Sequence, residues 1–123
     1  MLVHIDEELL TSAEADKSIL NSNCSIKLAD FGFARKLEHG EYLNEFFGTL
    51  SYMAPEVLLK NNYDKKADIW SLGISIFELL TGKLPFNAIS KKDLKFKHCL
   101  GKYKVSSSLK ISYDALDFIN HCI

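Results

Sequence analysis

No apolar run in this sequence is long enough to cross a bilayer as a helix. The start of a secretory leader is also missing. Asp6, Glu7 and Glu8 stand where basic residues and then an apolar core would be needed. Cysteines are few and odd in number (Cys24, Cys99 and Cys122), and no pair has C-x-x-C spacing. That argues against a disulfide framework and for free thiols in a reducing compartment, so a cytoplasmic or nuclear location is expected. An excess of one charge is lacking too: 15 basic residues face 16 acidic ones, for a net charge of -1. Nothing in that balance calls for nucleic acid or an anionic membrane as a partner. The lysine clusters at Lys65-Lys66, Lys91-Lys92, and Lys95 and Lys97 read as solvated faces. Internal repeats and low-complexity segments are absent.

What is present is the composition of an ordinary globular domain. The 123 residues are 47% hydrophobic and 25% charged, enough for one compact unit and not two. Residues 1–17 mix acids with short apolar pairs and carry no clear pattern. Ser25-Ile26-Lys27-Leu28-Ala29 alternates as a short strand does, and Asn21-Ser22-Asn23 before it is a turn signal. Ile19-Leu20 is then the partner strand of a hairpin. A polar loop follows over 30–47. A short helix is expected over 54–60, with Pro55 in its first turn, where a missing N–H costs little.

Asp64 is a plausible N-cap for a longer helix over about 65–80, stopped by Gly82. Its apolar residues, from Ala67 and Trp70 to Leu80, cover most of its circumference. That pattern predicts a central helix buried on nearly all sides. Two more helices are expected over 91–100 and 113–123.

Four motifs stand in order along the chain. Ile26-Lys27-Leu28-Ala29-Asp30-Phe31-Gly32-Phe33-Ala34-Arg35 is the first and Gly48-Thr49-Leu50-Ser51-Tyr52-Met53-Ala54-Pro55-Glu56 the second. Asp68-Ile69-Trp70-Ser71-Leu72-Gly73 and Thr81-Gly82-Lys83-Leu84-Pro85-Phe86 follow. In this order and spacing they resemble the D-F-G, G-T-x-x-Y-x-A-P-E and D-x-W-S-L-G signatures of eukaryotic protein kinases, over about 18–123. The resemblance implies a mainly α fold: a partial kinase C-lobe with a short β-hairpin before the D-F-G loop and a buried central helix. The activation segment would run over 30–56.

By the same resemblance, Asp30 is the carboxylate that chelates magnesium on the phosphates of ATP, a hard oxygen ligand for a hard cation. Phe31 would pack into the core and set whether Asp30 points in or out, and Gly32 would permit that backbone change. Gly48, Thr49, Tyr52, Pro55 and Glu56 match the loop that docks a protein substrate. The Gly48-Thr49 pair implies the serine/threonine type, and Phe33 implies a preference for serine acceptors. Asp68 would hold the backbone of the catalytic loop, with Trp70 and Gly73 as structural residues of the same motif. The D-F-G-F-A-R run is similar to that of calmodulin-dependent and autophagy-initiating kinases.

Two departures from the family pattern bear on function. The catalytic loop, H-R-D-x-K-x-x-N in the family, has two possible placements. One sets it at 10–17, with Ser12 at the aspartate position and Lys17 at the asparagine position. The other makes His4-Ile5-Asp6 a degraded remnant, with Asp6 as its aspartate. In both, the lysine and asparagine are missing. The glycine-rich loop and V-A-I-K lysine that hold ATP are also absent from the sequence. Activity of the isolated chain is therefore doubtful, and a non-catalytic, pseudokinase-like module is the alternative. That module would dock partners through 48–56 and the helix over 91–100.

Arg35 is the sole arginine. The arginine that pairs with Glu56 in the family has no counterpart, so Glu56 should be exposed, protonated or poorly ordered, and some apolar surface of the central helix should stay uncovered. Between Gly32 and Gly48 there is no serine or threonine; Tyr42 is the only hydroxyl. Glu45 stands three residues before Gly48, where the family often carries a phosphorylated threonine. A fixed charge there either replaces a regulated phosphate or is a solvated acid in a mobile loop.

Overall fold

The computed structural model describes residues 31–123, and among these the protein is mainly α-helical. The expected hairpin, Asp6, Ser12, Lys17 and Asp30 lie outside the described residues. After an irregular segment, a 3-10 turn at Leu50–Tyr52 leads into the short helix α1, Pro55–Leu58. Then come α2, Lys66–Thr81, α3, Lys91–Leu100, and α4, Tyr113–Cys122.

The ends of these helices follow local chemistry. Pro55 occupies the first position of α1, as expected. Asp64 does work at the start of α2, one residue earlier than the N-cap itself. Its carboxylate accepts from the Lys66 N–H at 2.8 Å while Lys65 takes the cap position. Gly82 ends the helix in the left-handed conformation, its N–H reaching the Glu78 carbonyl. The hydroxyls of Ser90 and Ser112 accept from N–H groups three residues on and so cap α3 and α4.

Among the described residues the core centres on one cluster. Met53, Ala54, Val57 and Leu58 from the 3-10 turn and α1 meet Ala67, Trp70 and Ile74 of α2, with Phe86 and Leu94 closing it. Trp70 lies nearly parallel to Phe86, ring centroids 6.0 Å apart, and the His98 ring fits beside both, at 5.5 and 4.8 Å. α2 packs on the 3-10 turn and on α4, while α1 packs on α3.

The expectation of a helix buried on nearly all sides needs correction. Ile74 is fully buried, yet Ile69, Leu79 and Leu80 are 48%, 49% and 42% exposed. The packed neighbours sit on one side of α2, so its other apolar positions remain uncovered, as the missing-neighbour argument had implied. Among the described residues no helix is long and apolar enough to cross a membrane.

His98 is 1% exposed. Its Nδ1 lies 3.0 Å from the Met53 carbonyl, which can only accept, so Nδ1 carries the hydrogen and Nε2 is left without a partner. Burial pushes the imidazole below its ordinary value of 6.5, opposed by the Met53 bond. The unfolded chain therefore binds this proton more tightly than the folded one. Stability from His98 is fully present above about pH 6.5 and is lost as pH falls from there through the depressed folded value. Thermal unfolding at pH 7.5 and 5.5 should show a fall for the native chain. For His98→Leu, which cannot titrate, the fall should be smaller; equal falls would remove His98 as the cause.

Candidate substrate-docking site

The described part of the activation segment runs from Phe31 to Glu56, and two contacts close it into a loop. The Arg35 guanidinium donates to Glu45 Oε1 at 2.7 Å, and the Phe33 and Phe47 rings stack with centroids 4.8 Å apart. The loop is tied down further on by paired backbone hydrogen bonds between Leu43 and Tyr63, at 2.8 and 2.9 Å. Between this loop and the start of α2 lies a cleft of about 210 Å³, lined by Arg35, Glu45, Tyr63 and Asp68 among others. Burial, then the Glu45 charge, push the Tyr63 phenol up, with Arg35 opposing. Glu45 is therefore not a free solvated acid: it is a partner of Arg35.

Gly48 takes φ 109°, a conformation a side chain would strain, and this turns the chain into Thr49 and the 3-10 turn. Gly48 and Thr49 are exposed, whereas Tyr52, Pro55 and Glu56 are half-buried. The turn is fastened to α2 at two points. Tyr52 donates its hydroxyl proton to Glu78 Oε2 at 2.5 Å, and Ser71 Oγ donates to the Tyr52 carbonyl at 2.8 Å. Glu78 lines a second, larger cleft of about 610 Å³, together with Leu50, Ser51, Ile89 and Lys91. An ordered loop beside an open cleft, with a threonine and backbone groups facing solvent, can hold an extended peptide segment.

Tyr52→Phe should cost about 1.5 kcal/mol, since it removes a hydrogen bond to a carboxylate. Urea unfolding should show Glu78→Gln losing less, because an amide oxygen still accepts. Equal losses would mean that the carboxylate charge, and not the hydrogen bond, fastens the turn.

The other expected site residues fall as follows. Phe31 is 58% exposed, and among the described residues the buried hydrophobic residues run from Met53 onward. Gly32 lies beside it in the same turn, closed by an N–H of Ala34 to the Phe31 carbonyl at 3.0 Å. Glu56 is ordered in the first turn of α1 and half-buried. Asp68 is half-buried in the first turn of α2, where it lines the smaller cleft. Trp70 and Gly73 are both buried, the first in the core and the second against α4.

Glu78 and Ser71 were missed as site residues. The signal for Glu78 was there: it is the lone acid among the apolar residues of 69–80, and a carboxylate in that setting requires a donor. Among the described residues no group of three or more His, Cys, Asp or Glu side chains is placed to hold a metal.

Comparison with known proteins agrees with this arrangement. The family model for the protein kinase domain matches residues 13–123. The human serine/threonine-protein kinase ULK1 is 40% identical over 97 residues, covering 76% of this chain and 9% of that protein. Mouse sperm motility kinase 3A is 41% identical over 95 residues, covering 76% of this chain and 19% of that protein. A cGMP-dependent protein kinase of Drosophila melanogaster, isozyme 2 forms cD5/T2, is 44% identical over 84 residues, covering 68% and 9%. The chain thus spans under one fifth of the length of these relatives. With these likenesses over most of its length, the chain belongs to the eukaryotic protein kinase superfamily, serine/threonine type.

Proposed function

We propose that these residues form the substrate-docking part of a serine/threonine protein kinase and that, by themselves, they do not transfer phosphate. The observation carrying the first half is the pair of hydrogen bonds from Tyr52 and Ser71 that fix the 48–56 loop on α2 while Gly48 and Thr49 stay exposed. A preformed loop of this kind lowers the ordering cost of holding a protein segment. The acceptor is a serine or threonine hydroxyl on that segment, serine preferred on the strength of Phe33.

The second half rests on what phosphoryl transfer needs. When bound, ATP supplies the phosphoryl group and magnesium neutralises its charge. Asp30 is assigned as the magnesium ligand by its place in the D-F-G motif. One carboxylate holds magnesium weakly, and the sequence offers neither the catalytic-loop lysine and asparagine nor the glycine-rich loop. Asp6 is at most a remnant of the catalytic aspartate. The part this chain plays is to bind and orient the acceptor.

Two measurements on the purified chain separate the halves. ATP with magnesium should leave the thermal unfolding midpoint unchanged, and a clear rise would overturn the claim of inactivity. Serine-containing peptides should bind to the native chain and more weakly to a Tyr52→Phe, Ser71→Ala chain. Equal binding would overturn the docking assignment.

A further inference from the structure

We propose that His98 is a positioning residue for the docking loop: its Nδ1–H holds the Met53 carbonyl, and a proton taken up at its other ring nitrogen lets the loop go. This rests on the docking role given above to residues 48–56 and names the side chain that sets their geometry.

Two consecutive carbonyls lead the chain out of the docking turn, and each is held by a side chain from a different helix. Ser71 Oγ of α2 donates to the Tyr52 carbonyl at 2.8 Å. His98 Nδ1 of α3 donates to the Met53 carbonyl at 3.0 Å, across 45 positions of sequence. The Met53 N–H is used inside the turn, on the Leu50 carbonyl at 3.3 Å, so its carbonyl is the end that faces outward to α3. Met53 is 4% exposed and His98 1%, so water does not take over if the bond breaks. A buried carbonyl left without a donor costs about 1–3 kcal/mol.

The ring sits where a charge is unwelcome. Its centroid is 5.5 Å from that of Trp70 and 4.8 Å from that of Phe86. Nε2 is buried without a partner. In the neutral ring it is an idle lone pair, whereas in the imidazolium it becomes a second N–H with no acceptor. The aromatic faces favour a cation by about 0.5–2 kcal/mol, less than the several kcal/mol lost by taking an ion out of water. The elements packed round it carry Glu56 on α1, Lys66, Asp68 and Glu78 on α2, Asp93 and the lysines on α3 and, beyond Phe86, Tyr103. None of these acts on the imidazole: burial is the larger influence, holding it below its ordinary 6.5, and the Met53 bond opposes. As pH falls below that value, the ring gains its proton by leaving the core, and the Met53 carbonyl then loses its donor. The loop is no longer preformed, and holding a peptide carries a larger ordering cost.

The test follows peptide affinity against pH on the whole chain. The probe is a mixture of short peptides with one serine and no His, Asp or Glu, so that the ligand does not titrate between pH 7.5 and 5. His98→Phe, which keeps a ring and lacks the donor, should bind about tenfold more weakly than the native chain at pH 7.5. Native affinity should drop toward that level as pH falls. His98→Gln, whose amide still donates but cannot titrate, should bind well at pH 7.5 and lose most of the slope. A merely packing role would leave the Phe variant the stronger binder of the two. That ranking, a flat native profile, or a native slope that His98→Gln reproduces would overturn the proposal. Should either variant fail to fold, magnetic resonance of the isotope-labelled native chain decides. The hydrogen should sit on His98 Nδ1 at pH 7.5, and the Met53 carbonyl signal should move in step with the His98 titration. A hydrogen on Nε2, or a Met53 signal that ignores the titration, would overturn it. Peptides that bind at no pH would overturn the docking role of 48–56, and the two signals then decide the His98 contact by themselves.

Discussion

Trp70→Ala should abolish cooperative unfolding of this chain. Trp70 is 8% exposed and packs against both Phe86 and His98 in the core. Truncating a buried tryptophan costs about 3–5 kcal/mol, against a total of about 5–15 kcal/mol for a folded domain. Among the described residues Trp70 belongs to the one large buried cluster, which joins α1, α2 and α3. Urea unfolding followed by circular dichroism should change from a sigmoid to a shallow drift. Trp70→Phe is the informative companion. It keeps an aromatic ring in the site and removes the indole N–H, which is buried without a partner, so part of the lost packing is offset. A Trp70→Ala chain that still unfolds cooperatively, within about 1 kcal/mol of native, would show that the core tolerates the cavity by collapse.

Gly73→Ala should be the next most damaging change. A Cβ there would stand 2.5 Å from Cys122 Cβ and 3.0 Å from Ile123 Cγ1. Alanine is the better helix former by about 1 kcal/mol, so helix propensity alone predicts stabilisation. The clash predicts the opposite, a net loss of about 2 kcal/mol from forcing α2 and α4 apart. A double-mutant cycle with Cys122→Gly isolates the contact, and the pair should be coupled by about 1 kcal/mol or more in the favourable direction. A stabilised Gly73→Ala chain would mean that α4 docks loosely.

Much of this architecture was legible because it is written in local chemistry. Pro55, Asp64, Gly82 and the apolar periodicity of 65–80 place α2 to within one residue of its observed ends, and α1, expected over 54–60, to within two. The helices over 91–100 and 113–123 were legible for the same reason. What could not be read was decided by pairs distant in sequence. Tyr52 and Glu78 are 26 positions apart, and Met53 and His98 are 45 apart. Neither member of such a pair announces the other. Phe31 was unreadable for a related reason: its motif implies a pocket made by other segments, and among the described residues it stands exposed. The even apolar coverage of α2 was read as full burial. Periodicity reports which faces are able to be covered, and the packed neighbours decide which ones are.

The ion pair between Arg35 and Glu45 has one more consequence. Its negative end is a glutamate, so the pair itself contains no phosphate. What remains able to loosen it is the solvent. Both side chains are partly open to water, at 56% and 31%, and the screening length shrinks from about 10 Å in 0.1 M salt to about 3 Å at 1 M. The pair that closes this loop should therefore weaken as ionic strength rises.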